Sequence, residues 1–131
     1  MSSELPTQTP TSLVKAAVLG AAGYSGAELC ALLTRNPYFE LCFAYASAGR
    51  KAEPFSSIYP RFQQQVDVLV EPWTDDEIAR IQGKVDVAFL ALPHEASEEV
   101  APKLMAAGIV VVDLSGAFRL KDPDLYPKYY G

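Results

Sequence analysis

The sequence contains few residues of the types that carry most site chemistry. Among its 131 residues it has two cysteines, one histidine and one tryptophan. A disulfide framework is therefore not expected, and nothing indicates an oxidising compartment. We interpret Cys30 and Cys42 as small buried residues of a helix and a strand, and we expect a cytoplasmic protein.

Long apolar runs and clusters of positive charge are also missing. The apolar stretches are far shorter than the roughly 20 residues needed to span a bilayer. The net charge is -5 and no run of Lys or Arg occurs, so neither a membrane nor a nucleic acid is expected as a partner. Residues 1–12 lack the charged and apolar regions of a signal peptide, and we interpret them as a disordered leader.

The apolar residues that are present form strand-like and helix-like runs in alternation. Strands are predicted at residues 14–19, 41–46, 85–90 and 109–112, with a further short strand at 66–70. Helices are predicted at residues 24–34, 74–81 and 95–107, the first ended by Asn36-Pro37 and the last by Gly108. This alternation predicts the α/β class, as a Rossmann-type doubly wound parallel sheet with helices on both faces.

Some residues refine these helix boundaries. Thr74 with Glu77 fits a capping box at the start of the second helix. Pro102 lies within the third helix, and it is compatible with that helix only if the helix begins near residues 97–99, because proline is tolerated in a first turn.

A glycine-rich segment joins the first strand to the first helix, with the sequence Gly20-Ala21-Ala22-Gly23-Tyr24-Ser25-Gly26. Glycines let the backbone turn tightly and approach a pyrophosphate, while the helix N-terminus offers free N–H groups. Because the segment follows a strand and opens a helix, it predicts dinucleotide binding. Ser25 is equally well explained by a capping box with Glu28.

The segment after the second strand bears on the choice between NAD and NADP. NAD binders usually carry an Asp or Glu about 20 residues beyond the glycines. Residues 45–51 contain no carboxylate but offer Ser47, Arg50 and Lys51, which suit a 2′-phosphate. The alternative is that Arg50 and Lys51 are solvated loop charges. We predict NADP as the cofactor.

Three segments together resemble the N-acetyl-γ-glutamyl-phosphate reductase family. They are residues 20–29, residues 91–97 (Ala-Leu-Pro-His-Glu-Ala-Ser) and residues 112–120 (Val-Asp-Leu-Ser-Gly-Ala-Phe-Arg-Leu), and a tyrosine-rich stretch follows at 126–131. The first segment is shared with aspartate-semialdehyde dehydrogenases, and the other two are more specific. The sequence departs from the family at Gly116-Ala117, where the family often has Ala-Asp.

The resemblance implies which residues bind cofactor and substrate. The implied pyrophosphate loop consists of Gly20, Gly23, Tyr24, Ser25 and Gly26. The implied site for the adenosine phosphate consists of Ser47, Arg50 and Lys51. The implied turn beside the ribose and nicotinamide consists of Leu92, Pro93, His94 and Ser97. The segment near the substrate contains Asp113, Ser115 and Arg119, of which Ser115 and Arg119 would bind substrate. For His94 the alternative is a hydrogen-bonded loop histidine, and for Arg119 a surface ion pair.

The resemblance also implies an activity, the NADPH-dependent reduction of N-acetyl-γ-glutamyl phosphate to the semialdehyde in arginine biosynthesis. In that family a cysteine thiolate attacks the acyl phosphate and a histidine is the acid/base. Both are expected in motifs beyond Gly131, so Cys30, Cys42 and His94 do not inherit these roles, and no metal is implied. We therefore expect the 131-residue chain to be inactive by itself.

For the domain organisation, we expect an NADP-binding domain at residues 13–120 and, at 121–131, the start of a connection to a catalytic and dimerisation domain. The full-length protein is expected to be a homo-oligomer acting on a small-molecule acyl phosphate. Two alternatives remain open, an aspartate-semialdehyde dehydrogenase-like reductase and a non-catalytic NADP-binding module.

Overall fold

The computed structural model describes residues 13–60 and 68–114. The elements in chain order are β1 (Val14–Leu19), α1 (Tyr24–Arg35), β2 (Phe39–Ala46), β3 (Glu53–Pro54), α2 (Phe55–Ile58), β4 (Leu69–Pro72), α3 (Glu77–Ile81), β5 (Val87–Leu90), α4 (His94–Ala106) and β6 (Val110–Asp113). Within these two ranges, no helix has the length and apolarity to cross a membrane.

Some of the sequence predictions fall outside the described residues. They concern the leader at 1–12, the substrate residues Ser115 and Arg119, and the connection at 121–131. Gly131, beyond which the nucleophilic cysteine and the acid/base histidine are expected, also lies outside the described residues. These expectations therefore stay predictions.

The strands of the described residues form one six-stranded sheet in the order β3-β4-β2-β1-β5-β6. All neighbouring pairs are parallel except β3 and β4. Central β1 is buried from Ala16 to Leu19, as expected for a strand covered on both faces.

Two hydrophobic clusters lie on opposite faces of this sheet. On one face, Ala16 and Val18 of β1 belong to the cluster that α1 and α2 cover, with Ala27 and Phe55 among its members. On the other face, Ala17 and Leu19 belong to the cluster that α3 and α4 cover, with Ile81, Val100 and Leu104 among its members. Since successive side chains of a strand point to opposite faces, β1 contributes to both clusters. The predicted doubly wound sheet with helices on both faces is confirmed.

The strand order fixes where a ligand can bind. From β1 the chain proceeds through β2 to β4 on one side, and it then returns to place β5 and β6 on the other side. Beyond the carboxyl ends of β1 and β5, loops therefore diverge in opposite directions, and such a switch point leaves a crevice. The sheet thus places residues 20–23 and 91–93 on the same edge.

Several element boundaries agree with the sequence prediction and others differ. β1 has the predicted bounds, α1 ends before Asn36 as predicted, and Gly108 follows α4 with a φ of +85°. β2 begins two residues earlier than predicted. β4 spans Leu69–Pro72 and so ends two residues after the predicted strand at 66–70, of which residues 66 and 67 lie outside the described residues. β3 and α2 were not predicted. Cys42, expected to be buried, is only partly buried.

The prediction for Pro102 is wrong. α4 begins at His94, so Pro102 lies well inside the helix. The ring is exposed, whereas the buried side of α4 carries Ser97, Val100 and Leu104. Packing of that side against the sheet maintains the helix despite the lost backbone hydrogen bond.

Both predicted capping boxes are also wrong. Within the described ranges, the N-cap residues of α1 and α3 are Gly23 and Asp76, and neither makes a side-chain cap hydrogen bond. Ser25 is consequently inside the first turn of α1. The Glu77 carboxylate accepts hydrogen bonds from the Tyr45 hydroxyl and from Arg80 instead.

Candidate dinucleotide site

A cleft of about 580 Å³ opens at the carboxyl ends of the parallel strands. This volume lies within the range of about 300–1,000 Å³ that is typical of ligand pockets. The residues that line the cleft come from the loops after β1, β2, β4 and β5 and from the first turns of α4: Leu19, Gly20, Ala22, Gly23, Ala46, Ser47, Ala48, Trp73, Asp75, Ala91, Leu92, Pro93, Ala96, Glu99 and Val100. The structure thus brings the glycine loop together with Ser47, Leu92 and Pro93.

Two of the three loop glycines are required by the protein itself. Gly20 has a φ of +95°, and a Cβ there would collide with the carbonyl oxygen of Ala91. Gly26 is buried against the loop, and a Cβ there would collide with the carbonyl oxygen of Gly20. Gly20 therefore makes the turn out of β1, and Gly26 allows α1 to pack closely on that turn.

Gly23 has a different reason to be glycine. Its φ is -82°, which any residue adopts, and the nearest atom to a Cβ built there would be the Gly20 oxygen at 3.5 Å. Protein atoms therefore leave room for a Cβ at Gly23, which lines the cleft. A glycine at this position keeps the cleft open for close approach of a ligand to the backbone.

The glycine loop is anchored to β2 and opens the N-terminus of α1. The carbonyl oxygen of Tyr45 accepts hydrogen bonds from the N–H groups of both Gly20 and Ala21, each at 2.8 Å. The first α-helical bond runs from Ala27 to Gly23, so the first-turn N–H groups before Ala27 have no helical acceptor. These groups and the positive end of the helix dipole suit an anion.

The loop after β2 is only partly as predicted. Ser47 lines the cleft, and a turn closed by the Arg50 N–H and the Ser47 oxygen brings Arg50 next to it. Arg50 and Lys51 are not among the lining residues. The Arg50 guanidinium is paired with Glu53 at 3.5 Å, and its side chain is 40% exposed.

The turn after β5 also differs in part from the prediction. Leu92 and Pro93 line the cleft, whereas His94 and Ser97 do not. The His94 Nε2 atom lies 3.0 Å from a Glu98 carboxylate oxygen, which agrees with the alternative of a hydrogen-bonded histidine. Ser97 is fully buried, and within the described part of the chain its hydroxyl has no hydrogen-bond partner. Among the other predicted residues, Tyr24, Ser25 and Gly26 belong to the first turn of α1 and not to the lining.

The sequence analysis missed the wall that follows β4. Trp73 and Asp75 line the cleft, and Trp73 contacts Tyr45 edge to face with 4.9 Å between ring centroids. A hydrogen bond from Lys103 holds the pKa of the Asp75 carboxyl below its usual value. The rule that ligands bind beyond strand carboxyl ends predicts these residues once the strand is placed at 69–72.

Hydrogen bonds and ion pairs of neighbouring polar residues stabilise the part of the cleft that contains Trp73 and Asp75. Tyr45 is fully buried, and its hydroxyl donates to Glu77 at 2.9 Å. Burial and this hydrogen bond raise the pKa of Tyr45. Arg80 in turn donates to both Glu71 and Glu77, which raise its pKa, so the ion pairs tie α3 to β4.

Neither cysteine lies in the cleft lining. Burial in α1 raises the pKa of the Cys30 thiol to about 12. Burial and then the charge of Glu40 raise the pKa of Cys42, which lies in β2. A nucleophilic cysteine needs a lowered pKa, so neither of these two has the electrostatics of a nucleophile.

Comparison with known proteins identifies the family of this chain. Residues 15–127 match the family described as semialdehyde dehydrogenase, NAD binding domain. The N-acetyl-gamma-glutamyl-phosphate reductase of Aeromonas salmonicida (strain A449) is 41% identical over 121 residues, covering 91% of this chain and 36% of that protein. The protein of the same name from Bacillus thuringiensis subsp. konkukian (strain 97-27) is 41% identical over 117 residues, covering 89% of this chain and 33% of that protein.

A solved structure of a related dehydrogenase is similar to this chain in fold and sequence. The crystal structure of aspartate semialdehyde dehydrogenase with NADP from Candida albicans has a TM-score of 0.58 and 26% identity, covering 78% of this chain and 29% of that chain. The chain described here spans about a third of the length of the curated relatives it matches. The family match covers most of the chain, including the glycine loop and the strands around the cleft. The chain therefore belongs to the semialdehyde dehydrogenase NAD-binding domain family, and its cofactor is a nicotinamide dinucleotide.

Proposed function

We propose that this chain binds NADP and serves the NADPH-dependent reduction of N-acetyl-γ-glutamyl phosphate to its semialdehyde. The observation that carries the proposal is the cleft in which Gly23, Ser47, Leu92 and Pro93 meet. Curated relatives of that name are 41% identical to nearly the whole chain. The similarity to aspartate semialdehyde dehydrogenase is weaker in sequence, at 26% identity, and therefore supports the alternative reductase less well.

The residues present fit a dinucleotide. The first-turn N–H groups of α1 would hold the pyrophosphate, and the absence of a side chain at Gly23 leaves space for it. Ser47, Arg50 and Lys51 would hold the adenosine 2′-phosphate, because the residues that follow β2 carry a hydroxyl and two cations where NAD binders place a carboxylate. Leu92 and Pro93 would line the part of the cleft that receives the nicotinamide. When bound, the cofactor supplies a hydride.

The covalent chemistry requires a nucleophile other than Cys30 and Cys42. Both thiols have raised pKa values and neither lines the cleft. We therefore expect no reductase turnover from the 131-residue chain by itself, measured as NADPH oxidation with N-acetyl-γ-glutamyl phosphate.

The remaining parts of the reductase are proposed from the resemblance. Ser115 and Arg119 would bind the substrate, and residues 121–131 would lead to a catalytic and dimerisation domain. The nucleophilic cysteine and the acid/base histidine would lie in that domain, beyond Gly131. The curated relatives are long enough to include it, because this chain spans only about a third of their length.

The preference for NADP is tested by removing the two cations. Arg50→Ala combined with Lys51→Ala should weaken NADPH binding and leave NADH binding nearly unchanged, because only NADPH carries the 2′-phosphate. A charged hydrogen bond contributes about 1.5–3 kcal/mol when desolvated, and the exposure of Arg50 and its pairing with Glu53 reduce this value. We expect the ratio of the two affinities to fall by about 2 kcal/mol, or roughly 30-fold, as measured by calorimetric titration.

A matched control removes the same charge elsewhere. Lys15 lies near the start of β1 and Lys84 precedes β5, both outside the cleft lining. The pair Lys15→Ala with Lys84→Ala should keep the preference. If NADH bound the unmodified chain as tightly as NADPH, or if both double variants behaved alike, the assignment of NADP would be wrong.

A further inference from the structure

The chain segment between β2 and β4 contacts the glycine loop. Its β3 and α2 were not predicted from the sequence, and its described residues run to Pro60 and resume at Val68. The Tyr59 hydroxyl donates a hydrogen bond of 2.8 Å to the carbonyl oxygen of Ala22. Ala22 lies in the middle of the glycine loop and lines the cleft, whereas Tyr59 does not line it.

This bond fixes one peptide group of the loop from both ends. The oxygen of the Ala22–Gly23 peptide accepts from Tyr59, and its nitrogen donates to the Gly20 oxygen at 3.1 Å. The Ala22 oxygen is thus directed to a residue outside the cleft. A carbonyl oxygen that turned into the cleft would repel a phosphate, so the bond favours the loop conformation that presents N–H groups.

Tyr59 is itself held in place by packing. Its backbone N–H donates to the Phe55 oxygen at 2.9 Å, and the two rings are 5.6 Å apart between centroids. Phe55 is fully buried in the cluster that α1 covers. The hydroxyl therefore projects from an anchored element, which reduces the entropy cost of ordering the loop when a ligand binds.

We propose that Tyr59 is a positioning residue for pyrophosphate binding, acting through the carbonyl group of Ala22. This inference rests on the proposed dinucleotide function of the cleft. The segment between β2 and β4 would then have a role, because its Tyr59 holds the glycine loop in its binding conformation. Because NADPH and NADH share the pyrophosphate, the bond affects both cofactors alike, whereas Arg50 and Lys51 would affect NADPH alone.

The test compares three ligands on the Tyr59→Phe variant. We expect NADPH and NADH to bind more weakly by the same factor, about 2- to 10-fold for the loss of one neutral hydrogen bond. Adenosine 2′-monophosphate, which lacks the pyrophosphate, should bind as it does to the unmodified chain. Tyr38→Phe is the matched control, since Tyr38 is 52% exposed before β2, and it should leave all three affinities unchanged.

Other outcomes overturn the inference. Unchanged NADPH and NADH affinities would show that the bond does not position the loop. Equal weakening of all three ligands would indicate a general structural loss rather than loop positioning.

Hydrogen exchange of the ligand-free chain separates this inference from the proposed function. In Tyr59→Phe, amides of residues 20–24 should exchange faster, while those in the C-terminal half of α1 should not change. If the unmodified chain bound no dinucleotide, the proposed function would fail. Unchanged hydrogen exchange at residues 20–24 would then also refute the positioning role of Tyr59.

Discussion

At the scale of single residues, the three loop glycines are glycine for three different reasons. Gly20 needs a positive φ, and Gly26 needs to approach the Gly20 oxygen. Only Gly23 has space for a Cβ among protein atoms. The sequence analysis identified the segment but could not assign these roles, because they depend on contacts between the ends of β1 and β5 and the start of α1.

Replacement of Gly23 separates ligand binding from folding. Gly23→Val should fold, because a φ of -82° suits valine, but its side chain should occupy space at the cleft and abolish detectable NADPH binding. Gly108→Ala is the control, because Gly108 has a φ of +85° and follows the C-terminal end of α4, outside the cleft lining. It should cost about 1–2 kcal/mol of stability without weakening binding. Thermal unfolding and calorimetric titration measure both effects. A Gly23→Val variant that bound NADPH normally would show that the loop is merely a turn.

Cys30 gives a prediction for the pH dependence of stability. Burial raises the pKa of its thiol from 9.0 to about 12, so above pH 9 the unfolded chain loses a proton that the folded chain retains. Its contribution to the free energy of unfolding is therefore complete below pH 9 and decreases between pH 9 and 12, by up to about 1.4 kcal/mol per pH unit.

Urea unfolding at about pH 8 and about pH 10.5 measures this loss. Cys30→Ala should reduce the alkaline loss of stability, while the part that comes from Tyr45, whose pKa is also raised, remains. The partly exposed Cys42 provides the comparison, and Cys42→Ala should change the alkaline loss less. Identical alkaline losses with and without the Cys30 thiol would contradict its burial in the folded state.

At the scale of elements, periodicity predicted the long elements and failed for the short ones. β1 and α1 have strong patterns and clear stop signals, and their bounds were nearly right. β3 and α2 span two and four residues, too few for a pattern, and they exist because Phe55 is buried and β4 offers a partner strand. The box of Thr74 with Glu77 failed because Glu77 binds Arg80 within α3 and the distant Tyr45 instead, and the box of Ser25 with Glu28 failed because α1 is capped at Gly23.

Pro102 shows tertiary packing prevailing over local propensity. It lies inside α4 and is exposed, so Pro102→Ala should restore a backbone hydrogen bond without disturbing the buried side of the helix. In a helix interior, proline is less favourable than alanine by about 3 kcal/mol. Alanine also makes the unfolded chain more flexible, which lowers the gain in stability by up to about 1 kcal/mol. We expect a gain of about 2 kcal/mol in the free energy of unfolding. No gain in urea unfolding would mean that α4 is already distorted at this position.

At the scale of the whole molecule, the sequence was sufficient for the fold and for part of the site. The glycine loop and the alternation of elements predicted the doubly wound sheet and its switch point. The cleft gathers four loops, and the sequence analysis named residues from three of them. Trp73 and Asp75 were missed because the preceding strand was predicted to end at residue 70 instead of Pro72. Ser97, which the sequence analysis placed beside the ribose and nicotinamide, is buried and does not line the cleft.

The central claim, that this cleft holds a nicotinamide dinucleotide, is tested most directly by the emission of Trp73. It is the one tryptophan in the sequence, and it lines the cleft, so its fluorescence reports on occupancy without any label. Titration with NADPH should quench this emission saturably and sensitise emission from the nicotinamide, and adenosine 2′-monophosphate should reverse the sensitised emission by competition. Absence of a saturable change with both NADPH and NADH, in a chain shown to be folded by its cooperative thermal unfolding, would contradict the account.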